Sequence, residues 1–380
     1  MTGRGFTFWF LAGAVAGLIG LALLIFASPG FPSTEPWSGA GAFTGLWAGG
    51  PFSPVVTESG GGDTPAPAPD LEALDFSEWE GETLSDLGFD TTTAWDVSGG
   101  LARAAIEYTG ANLMTNGDFE TGLAAPFDYA PAPSIVTNPV GGGTYAMFGV
   151  SCYLGCSGAS WLPAEANKIY HLALWRYGLA VYWAGGYVWN FTASQQKWWC
   201  GIVYNGGLSV SGQFPVLTGE HLIFKTDAYG GQPIVTDNFV FQQVKDASTL
   251  ATHDFEKNYS SAKAGLTLAY GQWAGVAVRV EEDGDGIYAT LHREDVASST
   301  YWYAELWTRA DGVWARQRVS ATTYEAGGEI EILDDGADGY TMQYEGGAAG
   351  SNTLPGFTGT RYGMFSASPD AIFNTFTLTE

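Results

Sequence analysis

Two kinds of hydrophobic pattern divide this chain. The first is an unbroken apolar run over residues 6–26, FTFWFLAGAVAGLIGLALLIF, without charge or proline. As a helix rising ~1.5 Å per residue it covers roughly 31 Å, the thickness of a bilayer's hydrocarbon core. The second kind begins after residue 70, where apolar and polar residues alternate over short segments that stop at Gly, Asp or Asn. A period of two marks strands with one buried face. It is clear at 274–280, 288–292, 302–307, 329–333, 340–344 and 373–378. Further strand-like segments run at 145–150, 168–175, 179–183, 197–204 and 221–226. Asp283-Gly284-Asp285-Gly286 and Asp311-Gly312 mark hairpin turns. No long amphipathic helical repeat follows the apolar run. The pattern predicts an all-β body behind one N-terminal transmembrane α-helix.

A cleaved secretory signal is the alternative for the apolar run, and Phe26-Ala27-Ser28 is a weak cleavage site. Such signals carry apolar regions of roughly 7–15 residues, so length favours a retained anchor over residues 1–27. Arg4 is the only basic side chain before the run, and none follows until Arg103. That bias puts the N-terminus in the cytoplasm and the β-domains in the periplasm or outside the cell. Gly13 and Gly17 form G-x-x-x-G, a close-packing face for another membrane helix, although small residues are common in such helices. Residues 28–70 form a Pro/Gly-rich spacer, extended where TPAPAP occurs. Trp37, Phe43, Trp47 and Phe52 within it are too apolar for an inert linker. The stretch 37–56 either packs on a partner protein or the bilayer, or collapses locally.

Composition narrows the function classes. Acids outnumber bases 40 to 15 in 380 residues, for a net charge of −25, which repels phosphate backbones and excludes nucleic acid as a partner. The three cysteines, Cys152, Cys156 and Cys200, permit one disulfide in an exported domain and leave one thiol over. No C-x-x-C, H-E-x-x-H, G-x-S-x-G or P-loop is present. Asn190-Phe191-Thr192 and Asn258-Tyr259-Ser260 are N-glycosylation sequons, relevant in a host that glycosylates.

The run Asn112-Leu113 to Asn116-Gly117-Asp118-Phe119-Glu120-Thr121-Gly122 resembles the opening strand of carbohydrate-binding-module-like (galactose-binding-like) jelly rolls. Asp237-Asn238-Phe239-Val240-Phe241 resembles their closing strand, so residues 111–245 bracket one such domain. Residues 246–380, with WAGVAVRV and IFNTFTL, resemble a laminin-G or concanavalin-like jelly roll. Its opening piece is supplied by Trp95-Asp96-Val97-Ser98-Gly99-Gly100. The resemblance therefore implies two jelly-roll β-sandwiches, the first (111–245) inserted in the second (71–110 plus 246–380). Residues 94–108 read as strand, turn, strand with no third strand nearby, and two strands alone are unstable. They are expected to pair with the sheet containing 373–378 or 265–269.

The resemblance also implies a calcium ion tying opening to closing strand, held by Asp118, Glu120 and Asp237; hard oxygens suit Ca²⁺, though such carboxylates also cap turns. Aromatic residues crowd the first sandwich. Trp175, Tyr182, Trp183, Trp189, Trp198 and Trp199 are candidates to stack on sugar rings, against the plain alternative that they fill a core. Trp198 and Trp199, as neighbours on one strand, must face opposite sides. A glycosidase needs two carboxylates across a cleft, which no spacing here indicates. The sequence thus points to a membrane-anchored, non-catalytic binding or display protein that recognises a glycan or surface. The alternative is an accessory subunit docked on other membrane or envelope proteins, or a phage-type adhesion or decoration module on a virion.

Overall fold

The computed structural model describes residues 70–114, 117–120, 129–130, 134–137, 144–148, 153–154, 162, 164–178, 183–190, 195–204, 207–228, 234–269, 271–293, 302–322 and 327–380. The expected anchor and spacer, with Gly13, Gly17, Trp37, Phe43, Trp47 and Phe52, lie outside them. Among the described residues no helix is long and apolar enough to cross a membrane. They form strands almost throughout, in agreement with the all-β expectation, and their helical turns are the short 3-10 segments Phe76–Glu78 and Asp246–Thr249.

The C-terminal body is a sandwich of two antiparallel sheets. One runs Gly347–Thr353, Gly339–Tyr344, Gly327–Asp334, Ser261–Thr267, Ile372–Thr379, Leu101–Arg103, Asp96–Ser98. The other runs Asp90–Thr91, Leu250–Asp254, Arg361–Ser366, Trp273–Val280, Gly286–Arg293, Trp302–Ala310, Val313–Thr322. Their facing residues are the alternating apolar ones: Val276, Val278, Ile287, Leu291 and Leu306 meet Ile330, Ile332, Met342, Phe373 and Phe376. Burying a side chain of this size is worth ~1.5–3 kcal/mol. The Asp-Gly segments are turns as expected: Asp283–Gly286 links two strands, and the Gly312 N–H donates to Asp285 Oδ1 at 3.1 Å, folding one hairpin tip onto the other.

The early segment completes this body. Ala73–Asp75 pairs with Thr375–Thr377, and Arg103 and Ala102 pair with Ile372 and Phe373. Leu74, Phe76, Trp95, Val97 and Ala102 enter the same core, with Trp95 5.7 Å from Phe373 between ring centroids. The stretch 101–108 reads as one strand in sequence but is two in space. After Arg103 the chain leaves the sheet, held by Ala104 N–H to Ala371 O (3.1 Å). Tyr108–Thr109 then pairs with Gln243 and Val244 in a different sheet. Alternation cannot reveal this break, because both halves keep one apolar face toward a core.

The middle body is a second sandwich. One sheet runs Gly207–Val216, Lys168–Gly178, Ile234–Val244, Thr144–Phe148, Ser134–Thr137; the other runs Gln195–Tyr204, Trp183–Asn190, Leu222–Ala228, Tyr153–Leu154, Tyr129–Ala130. Between them lie Tyr170, Leu172, Leu174, Phe214, Phe224, Phe239 and Phe241. The opening motif is locked to the closing strand by Asn112. Its Oδ1 accepts from Phe241 N–H (2.9 Å) and its Nδ2 donates to Phe239 O (3.1 Å). Gly117 is required there, since a Cβ would stand 2.0 Å from the Phe239 carbonyl oxygen. Pro215 is tolerated because its strand is at the sheet edge.

A third apolar cluster joins the two bodies. Ile169 and Val244, on the outer face of the middle sandwich, pack with Trp273, Tyr288, Trp307, Trp314 and Phe365. Ser368 Oγ donates to Gln213 Oε1, and Lys168 Nζ pairs with Asp246 Oδ2 at 3.0 Å. At Gly271, with φ +81°, a Cβ would meet Ser211 O at 2.0 Å, so backbone touches backbone across the junction.

Candidate functional site

Three places could bind something, and each grows from a strand register. The first is the acidic group at the opening motif. Asp118 and Glu120 are exposed, and Asp237 is half-buried on the closing strand. Asp118 Oδ1 accepts from Glu120 N–H at 3.3 Å, and Asp237 Oδ1 from Asn238 N–H at 2.7 Å. Burial pushes the Asp237 carboxyl up to about 6; the Asn238 bond opposes this, and the charges of Glu120 and Asp118 add to the rise. The fold thus brings the three predicted carboxylates within electrostatic reach of one another. As a donor set, three carboxylates supply the hard oxygens that suit a divalent cation. Among the described residues, however, no group of three or more His, Cys, Asp or Glu side chains is disposed to chelate a metal as it stands.

The second place is the five-stranded sheet of the middle sandwich. Val188 pairs with Trp198 and with Phe224, a core residue, whereas Tyr187 pairs with Trp199 and with Lys225. Cross-strand partners share a face. Position 198 is therefore on the core face and position 199 on the opposite one. Positions 183, 187 and 189 share that opposite face by alternation, and so does Ile223, which pairs with Trp189 and is itself 0% exposed. Trp175 stands on the other sheet, half-buried and paired with Asp237 beside a register shift. Tyr182, Cys152 and Cys156 lie outside the described residues.

The third place was not legible in the sequence. The seven-stranded sheet turns a second face away from its own core, carrying Trp273, Tyr288, Thr290, His292, Glu305, Trp307 and Trp314, all buried. Glu305 is 0% exposed. Its Oε2 accepts from Trp307 Nε1 (2.9 Å), its Oε1 faces Arg316 Nη1 at 3.1 Å, and His292 Nδ1 is 3.5 Å away. Burial alone would push this carboxyl up; the bond and charge of His292, with Arg316, outweigh it and hold the carboxyl below its ordinary range. Among the described residues the other members of the cluster are cationic or neutral. A lone Glu amid the apolar positions of WYAELWTRA was the available signal.

Two grooves open on the C-terminal sandwich. One of about 480 Å³ is lined by Asp90, Asp246, Glu281, Glu282, Asp283 and Arg361 and is strongly acidic. The other, about 760 Å³, is lined by Arg318, Tyr340, Thr341, Ser351, Asn352 and Thr353 among others. Its two carboxylates serve the fold: Asp334 pairs with Arg279 at 2.7 Å, and Asp335 Oδ1 accepts from Gly339 N–H at 2.8 Å.

No protein-family model matches the chain. No curated protein sequence matches it either. Among solved structures, the tandem CBM22 domain from Paenibacillus barcinonensis aligns at 10% identity, over 73% of this chain and 99% of that one, with a TM-score of 0.29. The kappa-carrageenase from Pseudoalteromonas carrageenovora, in complex with an oligotetrasaccharide of kappa-carrageenan, aligns at 10% identity over 55% and 67%, with a TM-score of 0.22. A 1,3-alpha-1,4-beta-D-galactose-4-sulfate-3,6-anhydro-D-galactose 4 galactohydrolase aligns at 10% identity over 55% and 80%, with a TM-score of 0.24. Likeness this loose says nothing about what this chain binds.

Proposed function

We propose that this chain is a non-catalytic, membrane-anchored display protein whose middle sandwich recognises a glycan outside the cytoplasm. The observation that carries this reading is the use made of the second face of the seven-stranded sheet. Its aromatic residues are buried against Ile169 and Val244, and the Glu305 carboxylate is engaged by Trp307 and Arg316. That face serves as a mount for the middle sandwich and is not available as a cleft. The aromatic positions that register puts on the face of the five-stranded sheet opposite Phe224 are 183, 187, 189 and 199. Flat aromatic residues on a rigid sheet suit the apolar C–H face of a pyranose. The anchor belongs to this reading on the strength of residues 6–26 alone, and calcium on the strength of Asp118, Glu120 and Asp237.

The test is a screen of the full chain in mild detergent against a panel of neutral and acidic polysaccharides, with and without calcium. Binding is expected, and it should weaken at least tenfold in W183A and in W199A while no reducing ends are released. Absence of binding to every polysaccharide, or undiminished binding in both variants, would overturn the reading. The apolar spacer residues Trp37, Phe43, Trp47 and Phe52 favour a second reading, an accessory subunit of a membrane complex or virion. Its mark is a stoichiometric complex in mild-detergent purification, and a clean monomer would sink it.

A further inference from the structure

The fold treats the two N-x-[ST] sequons differently. Asn190 ends a strand, paired in register with Gln195 on one side and Leu222 on the other. Leu222 belongs to the core of the middle sandwich. Cross-strand partners share a face, so position 190 shares the face that carries the core residue Leu222. Asn258 is in the loop between Leu250–Asp254 and Ser261–Thr267 and is exposed. Its side chain makes no hydrogen bond, ion pair or ring contact among the described residues. The loop takes its shape from its neighbours instead. Tyr259 is 2% exposed, its N–H donates to the Tyr362 hydroxyl (3.2 Å) and its own hydroxyl donates to Glu72 Oε1 (2.8 Å). Asn258 is thus a fixed, solvent-facing amide that the fold does not use.

We propose that Asn258 is an N-glycan acceptor of this chain and that Asn190 is not. The proposal rests on the β-domains being extracytoplasmic, as argued above. In the transfer, the Asn258 amide nitrogen forms a bond to the anomeric carbon of a lipid-linked oligosaccharide diphosphate. The anomeric C–O bond breaks, the lipid diphosphate leaves with its electron pair, and the amide proton passes to a base of the host's transferase. Ser260 supplies the hydroxyl that the sequon needs. In the folded chain its Oγ makes one exposed contact, to Thr379 O at 3.1 Å, so transfer to the unfolded segment costs the final structure nothing. The finished glycan would stand beside Lys257, which bridges Glu72 (2.9 Å) and Glu380 (2.6 Å). It would cover the end of the sandwich at which the segment from residue 70 joins it.

The experiment translates the full chain with microsomes that carry an N-glycosyltransferase, in two versions: the natural chain, and one with a cleavable export leader before Met1. Protease protection reports translocation, and mass before and after peptide-N-glycosidase reports the glycan. A translocated chain should carry one glycan that is lost in N258Q and in S260A and kept in N190Q. A translocated leader-bearing chain without a glycan, or a glycan that survives N258Q, overturns the proposal. If only the natural version fails to cross, the extracytoplasmic reading suffers, while the leader-bearing version still decides the site.

Discussion

Replacing Glu305 is the sharpest probe of the mount that joins the two sandwiches. The carboxylate is completely buried and takes a hydrogen bond from Trp307 Nε1 at 2.9 Å and an ion pair from Arg316 at 3.1 Å. In E305Q the shape and an acceptor for Trp307 survive while the charge is lost. Arg316, with a third of its side chain exposed, can turn to water. The expected cost is about 1.5–3 kcal/mol, one charge-assisted hydrogen bond. In E305L the Trp307 N–H and the His292 ring are left in an apolar site without their acceptor. The cost should then reach about 3–5 kcal/mol, the range for breaking a buried pair from one side. Urea unfolding followed by tryptophan fluorescence measures both, because Trp273, Trp307 and Trp314 all sit in the junction. The order R316M < E305L is part of the expectation, since removing the partly exposed cation still leaves Glu305 its other partners. The folded pKa of Glu305 is held below its ordinary value of 4.5. Its stabilisation is therefore present above pH 4.5 and lost as pH falls through the folded value. E305Q should remove that part of the acid limb of the stability curve. An E305L protein as stable as the parent would refute the reasoning: desolvation of the carboxylate would then outweigh everything it gains.

Two further expectations concern pH and metal. His171 is half-buried, stacks on Tyr108 at 5.1 Å, and its pKa falls to about 4 because desolvation disfavours the imidazolium. The unfolded chain then binds the proton more readily, so stability falls as pH drops from 6.5 to 4, by ~3 kcal/mol in all; H171F should flatten that limb in pH-dependent urea titrations, and an unchanged slope would refute it. Asp237 has the opposite sign: its raised pKa of about 6 means that ionisation costs stability as pH climbs from 3.8 through 6. Calcium at the Asp118–Glu120–Asp237 group should relieve that cost, raising the thermal midpoint more at pH 7.5 than at pH 5 and not at all in D237N; equal effects in D237N would remove these carboxylates from any calcium site.

How much of this was readable from the chain differs element by element. The strands 274–280, 288–292, 329–333 and 373–378 announced themselves by alternation, because each has one face on a core and one toward solvent or a second layer. The Asp-Gly turns were equally plain, since few residues accept their backbone geometry. Strands such as Gly207–Val216, Val313–Thr322 and Gly347–Thr353 were not, because Gly, Ser, Arg or Pro interrupts their pattern; they sit at sheet edges, where less of the strand must be apolar. For the acidic trio, a motif at each end of the middle domain was enough to name Asp118, Glu120 and Asp237. Register then sorts the tryptophan positions: two adjacent residues on a strand must part company, and the pairing of Val188 with both Trp198 and Phe224 says that position 198 shares the core residue's face and 199 takes the other.

What the amino-acid sequence determined by itself was local: the period of each strand, the place of each tight turn, the net charge of −25. The junction belongs to the tertiary structure alone. Ile169, Val244, Gln213, Trp273, Glu305 and Ser368 are scattered over two hundred residues and carry no shared motif. Each reads as an ordinary strand residue, because period-two alternation reports that a side chain is covered and not what covers it. Only the docking of one finished sheet on another turned a second aromatic face into buried surface.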